Sequence, residues 1–171
     1  MEEKVSTARF ALKYGALGAV VIMIYTTILN VAGLAQNRML GFLSFVFMIV
    51  AIVLALKEFK EENKGFLSYG EGLGLGSLLS AVMGLLTSAF TMFYTQFIDN
   101  TIMAQTLDKM REELERQGKS DSEIDTAMEL SQKFMSPGIL FVFGVFSYLI
   151  FGFILSLVIA AIMRREKPVF D

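Results

Sequence analysis

The sequence contains no cysteine and no histidine among its 171 residues. The absence of cysteine excludes disulfides and thiol nucleophiles, and the absence of both residue types removes the usual ligands of zinc and haem. Metal-centred redox chemistry is therefore not expected. No cofactor and no metal site are predicted.

Charged residues are also scarce. Only 19% of the residues are charged while 54% are hydrophobic, and the mean hydropathy is +0.58. A soluble domain has about 25% charged and about 45–50% apolar residues. The composition therefore favours a chain that uses lipid as its solvent, and the length allows one domain.

The charges are absent from four long windows. Crossing the hydrocarbon layer of a bilayer takes about 20 apolar residues, with a range of about 17–25. The windows without Asp, Glu, Lys or Arg all reach that length: 14–37, 39–56, 72–98 and 134–163. We therefore predict an all-α integral membrane four-helix bundle, a single membrane domain over residues 1–171, with spans at about 14–34, 39–56, 72–98 and 139–163.

Lysine and arginine predict how the chain is oriented in the membrane. If both termini are cytoplasmic, the inside segments 1–13, 57–67 and 164–171 carry nine basic residues in 32. The outside segments 30–38 and 99–136 then carry six in 47. Since basic residues concentrate on the inner side, both termini are predicted to be cytoplasmic.

The 38 residues between the third and fourth spans are too many for a plain connection. Gly118 can end a first helix, and Ser120-x-x-Glu123 fits a capping box at the start of a second. Residues 99–136 are therefore predicted to form an extracytoplasmic helical hairpin. Its apolar seams, at helical spacing, are Met103, Leu107, Met110 and Leu114 on the first arm and Ile124 and Met128 on the second.

The stretch SYGEGLGLG, residues 68–76, places four glycines at alternate positions ahead of the third span. A phosphate-binding loop would need a preceding strand and a different glycine spacing, so nucleotide binding is not predicted. On a helix, small residues four apart let two backbones approach closely. The predicted packing residues are Gly72, Gly76, Ser80, Gly84 and Ser88 on the third span and Gly152, Ser156 and Ala160 on the fourth, with intrachain packing as the default and a second copy as the other option.

Glu71 is an acid at the edge of the third span. A carboxylate within the membrane would be a candidate proton or cation site, with Lys13 as a partner. Ser68-x-x-Glu71 also fits a capping box, which explains a negative charge at a helix N-terminus without transport. Lys13 can reach the headgroups as a snorkelling interface residue. Capping and snorkelling are favoured, and the ion site stays open.

Other polar residues of the spans carry no recognisable chemistry. Tyr25, Thr26 and Thr27 could line a small polar cavity, but such hydroxyls more often bond to backbone carbonyls. Acid–base catalysis needs two groups that meet in space, and the acids of residues 99–136 alternate with bases as on ordinary exposed helices. No catalytic residue is predicted.

Several short motifs resemble a known family. Lys57-Glu58-Phe59-Lys60 ends the second span, LSYGEG follows at 67–72, Phe97-Ile98-Asp99 leaves the third span, and Ser136-Pro137 restarts the chain after an acidic helical insert. In this order they resemble the bacterial membrane family catalogued as domain of unknown function 4199. The resemblance covers most of the chain and implies a four-span protein of the bacterial cytoplasmic (inner) membrane. It implies no activity and no catalytic residues.

These observations favour a non-enzymatic scaffold or accessory subunit. The hairpin would dock another protein or a second copy, because amphipathic seams need an apolar surface to cover them. Its two arms could instead cover each other or lie on the membrane. The alternative is a small ion or solute transporter or channel that uses Glu71, and an intramembrane enzyme comes third. Membrane lipid is an expected partner and nucleic acid is not.

Overall fold

In the computed structural model, which describes residues 5–35 and 37–166, the regular structure is helical apart from one isolated bridge. This confirms the all-α prediction. The helices are α1 (Thr7–Val31), α2 (Arg38–Glu62), α3 (Tyr69–Phe93), a π-helix (Tyr94–Ile98), α4 (Thr101–Arg116), α5 (Asp121–Phe134) and α6 (Pro137–Met163).

Four helical segments are long and apolar enough to cross a membrane, as a multi-pass membrane protein requires. All four extend beyond the predicted spans at one end or both, by the most in α1, which begins at Thr7, and in α2, which continues to Glu62. The uncharged windows mark only the part that can lie in hydrocarbon. A helix continues past it wherever long charged side chains can reach water. The candidate spans are Thr7–Val31, Met39–Glu62, Tyr69–Ile98 and Pro137–Met163.

The residues up to Thr87 and those from Val145 onward form one compact unit, which we call unit 1. Helices α1 and α2 run antiparallel in it. The Phe10 ring packs edge-on against Phe59 with centroids 5.6 Å apart, and Tyr25 packs in the same way against Phe47 at 5.2 Å. The core between the helices is apolar and fully buried, with Ile22, Met48, Ile52, Leu56, Leu75, Leu79 and Met83 at its centre.

Helices α3 and α6 also run antiparallel in unit 1, and their small residues face one another. A Cβ added to Gly72 would lie 2.9 Å from the Cβ of Ala160, and one added to Gly76 would lie 2.8 Å from the Cβ of Ser156. A Cβ on Gly152 would overlap the Ser80 side chain. The contacts therefore recur every four residues, in ascending order along α3 and in descending order along α6. The two backbones lie in close contact.

The two serines of this contact leave no polar group unpaired. Ser80 Oγ donates to the Gly76 carbonyl at 2.8 Å, and Ser156 Oγ donates to the Gly152 carbonyl at 2.6 Å. Because each hydroxyl is hydrogen-bonded within its own helix, the serine side chain can pack against the glycine of the facing helix as a small apolar residue would. Further along, Gly84 lies against Tyr148, where an added Cβ would be 2.7 Å from the Tyr148 Cβ.

Backbone hydrogen bonds fix one end of unit 1. Leu67, just before α3, and Arg165, just after α6, exchange two N–H to carbonyl bonds of 2.8 Å. Lys60 Nζ donates to the Met163 carbonyl at 2.9 Å. A carbonyl of the last turn of α6 has no partner within its own helix, so Lys60 supplies one.

The residues Ser88–Gly144 form the second compact unit, unit 2. Asp99 lies two residues before the start of α4, and its carboxylate accepts hydrogen bonds from the Thr101 amide at 3.0 Å and the Thr101 hydroxyl at 2.6 Å. Gly118 follows α4 with φ +74°, a left-handed conformation that favours glycine. The predicted capping box of Ser120 and Glu123 then starts α5. In the same unit, a Cβ on Gly144 would lie 3.2 Å from the Ser88 Cβ.

Replacing Gly76 with alanine tests the close contact of α3 with α6. Gly74, on the same helix, has open space where a Cβ would be added. Both replacements raise helix propensity equally, so their difference reports packing alone. We expect Gly76→Ala to have a free energy of unfolding lower than Gly74→Ala by about 1–3 kcal/mol. Unfolding in mixed detergent micelles, followed by circular dichroism, measures this difference, and equal stabilities would contradict the packing.

Candidate functional site

The two arms of the hairpin, α4 and α5, lie side by side and cover part of their apolar seams. Ile124 on α5 is only 2% exposed. Arg111 on α4 reaches Asp125 on α5, with 3.5 Å between Nη2 and Oδ1. The remaining seam residues are half-buried: Met103, Leu107, Met110, Leu114 and Met128. The arms therefore shield these side chains only in part.

A groove of about 400 Å³ stays open beside the seam, near the turn of the hairpin. Its apolar lining comes from Leu114, Ala127 and Leu130, and the Lys119–Glu123 ion pair, at 3.4 Å, lines another side. Leu130 is 55% exposed and Phe134, one helical turn later, is 53% exposed. The hairpin thus presents an apolar strip that its own arms do not cover.

The hairpin carries a net negative charge. Residues 99–136 contain nine acidic and five basic residues. Asp108, Glu112 and Glu115 are exposed on α4, at spacings that place them on one face. Arg111 also contacts Glu115, at 3.4 Å. The face attracts basic groups and repels the anionic headgroups of a bilayer.

Glu123 is held in its ionised form by the start of α5. The Ser120 amide and the Ser120 hydroxyl each donate to its carboxylate at 3.0 Å, and Lys119 lies close by. The amide bond is the largest cause, followed by the hydroxyl bond and the charge of Lys119, and together they keep the pKa of Glu123 below its usual range. The capping box is therefore strongest when Glu123 is ionised.

Glu71, the candidate ion-site residue, forms the predicted capping box at the start of α3. Its carboxylate accepts from the Ser68 amide at 2.9 Å and the Ser68 hydroxyl at 2.7 Å, and its own amide donates to Ser68 Oγ at 3.3 Å. The buried face of α3 that follows carries Leu75, Leu79 and Met83, all 0% exposed. Capping accounts for the carboxylate, and the interior beyond it is apolar.

The structure places Lys13 with Glu58. Lys13 Nζ donates to both carboxylate oxygens, at 2.7 and 2.8 Å, and the Tyr14 hydroxyl donates to the same carboxylate. One turn away, Arg9 pairs with Glu62 at 3.4 Å. Glu58 was not among the residues predicted from the sequence. The signal was the matched spacing of four, Arg9 to Lys13 and Glu58 to Glu62, which antiparallel helices bring into register.

The polar residues at the far end of α1 bond to backbone carbonyls. Tyr25 donates to the Leu40 carbonyl at 2.8 Å, Thr26 to that of Ile22 at 2.9 Å, and Thr27 to that of Met23 at 2.8 Å. Within residues 5–35 and 37–166, no group of three or more acids is placed to hold a metal ion. The arrangement favours the hairpin as the candidate site.

Acidification tests the capping box of α5. Because the pKa of Glu123 is lower in the folded chain than in the unfolded chain, its contribution to stability is complete above the unfolded pKa and is lost as the pH falls through the folded one. Ser120→Ala removes the hydroxyl bond to the Glu123 carboxylate, so we expect it to raise the pH at which Glu123 titrates. Carboxyl carbon NMR of the full chain in micelles measures this midpoint. Ser122→Ala, beside it, should leave the midpoint unchanged. An unchanged midpoint in Ser120→Ala would contradict the bond.

Comparison with known proteins identifies the family. The model of the family described as "Protein of unknown function (DUF4199)" matches residues 13–165. No curated protein and no solved structure matches the chain. Because the family match covers nearly the whole sequence, from within the first helix to two residues beyond the last one, this chain belongs to the DUF4199 family.

Proposed function

We propose that this protein is a non-enzymatic scaffold or accessory subunit of a membrane, and that its hairpin docks a partner protein. The observation that carries the proposal is the uncovered strip of Leu130 and Phe134 beside the groove, on a hairpin with nine acidic and five basic residues. Exposed apolar strips rimmed by polar residues mark interaction surfaces. The partner would carry a basic amphipathic helix, with apolar residues at helical spacing for the groove and Lys or Arg for the acidic faces.

The net charge of the hairpin favours one of three possible occupants of this strip: a separate protein, a second copy of the chain or the membrane surface. A second copy of the chain would bring the same acidic faces, and like charges across an interface cost several kcal/mol. Electrostatic binding to a lipid surface requires a cluster of basic residues, and the hairpin instead has an excess of acidic ones. The excess of nine acidic over five basic residues favours a separate, basic partner over both.

We further propose that the hairpin is extracytoplasmic and that both termini are cytoplasmic, in the inner membrane of a bacterium. The basic residues of unit 1 support this orientation, because they gather at the end where α1 and α3 begin. Arg9 and Lys13 lie there with Lys60 and Arg165. Such clusters remain on the cytoplasmic side.

Labelling of introduced cysteines tests the orientation, and the absence of native cysteine means that no background residue must be removed. Gln117, at the hairpin turn, and Glu61, near the end of α2, are both exposed. In intact cells, Gln117→Cys should react with a membrane-impermeant maleimide, whereas Glu61→Cys should react only after permeabilisation. Reaction of both positions in intact cells, or of neither, would contradict the orientation.

Photocrosslinking in cells tests the docking. When a photoreactive amino acid replaces Leu130, we expect one discrete protein adduct. The same amino acid in place of Gln132, elsewhere on α5, should not give that adduct. Neutralising the α4 face with Asp108→Asn and Glu112→Gln should lower the yield of the adduct about two- to thirtyfold, since each exposed charge pair contributes about 0.2–1 kcal/mol.

The control for this experiment removes the same net charge from unit 1, with Glu61→Gln and Glu166→Gln, and should leave the adduct unchanged. Raising the salt concentration should weaken the adduct, because exposed charges are screened beyond about 10 Å at 0.1 M salt. An adduct with the mass of two copies of this chain, or one that neutralisation leaves unchanged, would refute a basic partner.

A further inference from the structure

Hydroxyl groups in the spans of unit 1 are generally paired with backbone carbonyls. Thr26, Thr27, Ser77, Ser80 and Ser156 each donate to the carbonyl four residues earlier in their own helix. Hydrocarbon offers no hydrogen-bond partner, so pairing of this kind is what keeps a serine or threonine inexpensive in a membrane.

Among the described residues of unit 1, a few hydroxyls depart from this pattern, including the buried Thr87 Oγ1 on α3, which has no hydrogen-bond partner, and two serines. In the part of the chain that the structure describes, the hydroxyls of Ser44 on α2 and Ser147 on α6 form no hydrogen bond. Both line the same crevice between these helices, which has a volume of about 190 Å³. The rest of its lining is mainly apolar and aromatic and comes from Phe45, Met48, Tyr148 and Phe151.

The walls of the crevice are fixed in place. Phe45 and Phe151 meet edge to face with their ring centroids 5.0 Å apart. Met48 is 1% exposed, and the Cβ of Tyr148 lies close over Gly84 of α3. The two free donors therefore lie in a site with ordered aromatic walls.

Depth in the membrane narrows the choice of ligand. A helix rises 1.5 Å per residue, so Ser44 lies about 8 Å beyond Met39 and Ser147 about 12 Å beyond Ile139, where the uncharged spans begin. These positions lie within the hydrocarbon layer, beneath the headgroups. The acyl chain of a phospholipid has no acceptor there and would leave both hydroxyls unpaired.

We propose that this crevice binds a membrane-soluble molecule with one flat ring and ring carbonyls, that is, the head of an isoprenoid quinone. The Ser44 and Ser147 hydroxyls donate to its carbonyl oxygens, and the ring lies against Phe45 and Phe151. An apolar cavity of about 150 Å³ accommodates benzene, so a crevice of this volume accommodates one substituted ring. The tail stays in the surrounding lipid.

Photolabelling of the full-length protein in phosphatidylcholine nanodiscs tests this binding. The probe is an azide-bearing benzoquinone with a decyl tail, and decylubiquinone is the competitor. We expect the probe to label peptides that contain Ser44 or Ser147, and excess decylubiquinone to suppress the label. A photoreactive fatty acid of similar length serves as the acyl-chain comparison and should label these peptides weakly and without competition.

Removing the donors gives the deciding measurement. The double replacement Ser44→Ala and Ser147→Ala should raise the dissociation constant of the quinone about tenfold, because two hydrogen bonds are lost. Its unfolding should be unchanged, since neither hydroxyl has a partner in the protein. Ser77→Ala removes a hydroxyl that is already paired and should leave binding unchanged.

Three results would overturn the proposal. One is quinone labelling that decylubiquinone does not suppress. Another is equal labelling by the fatty acid, which would show an acyl-chain crevice only. The last is an unchanged dissociation constant in the double serine variant, which would show that the hydroxyls do not recognise the ring.

Discussion

Helices surrounded by hydrocarbon gain little by hiding apolar side chains from one another, because the lipid is as apolar as leucine. Association then depends on how closely two backbones can approach. The contact of α3 with α6 meets this requirement, since glycine and serine alternate between the helices so that a notch on one receives a small side chain of the other. This contact sets the distance between α3 and α6, and the leucine and methionine side chains of the unit 1 core pack around the two helices.

The same solvent explains where the polar groups are. Helix ends and hydroxyls of the spans must find partners within the protein. They do so locally through the capping box at the start of α3, through serines bonded to their own helix, and through Lys60 on the last turn of α6. The exceptions therefore stand out chemically. In the described part of the chain, the unpaired serines of one crevice and the uncovered strip on the hairpin are where we propose that another molecule binds.

The features that could be predicted from the sequence are those that depend on neighbours along the chain. The four spans follow from the lengths of the uncharged windows, and the caps at Ser68 and Ser120 follow from a spacing of three residues. The pairing of Lys13 with Glu58 was not predicted, because it depends on the register of two antiparallel helices. The crevice at Ser44 and Ser147 depends on how α2 lies against α6, which no local pattern encodes.

The order of synthesis adds a consequence to the contact between α3 and α6. These helices are separated along the chain by the hairpin, so α3 leaves the ribosome long before the residues that fill its glycine notches. At about 5–20 residues per second, the interval lasts several seconds. During that time the glycine face of α3 is open to the insertion machinery or to a neighbouring membrane protein. Biogenesis of this protein thus includes a stage in which the bundle lacks α6 and the glycine face of α3 is uncovered.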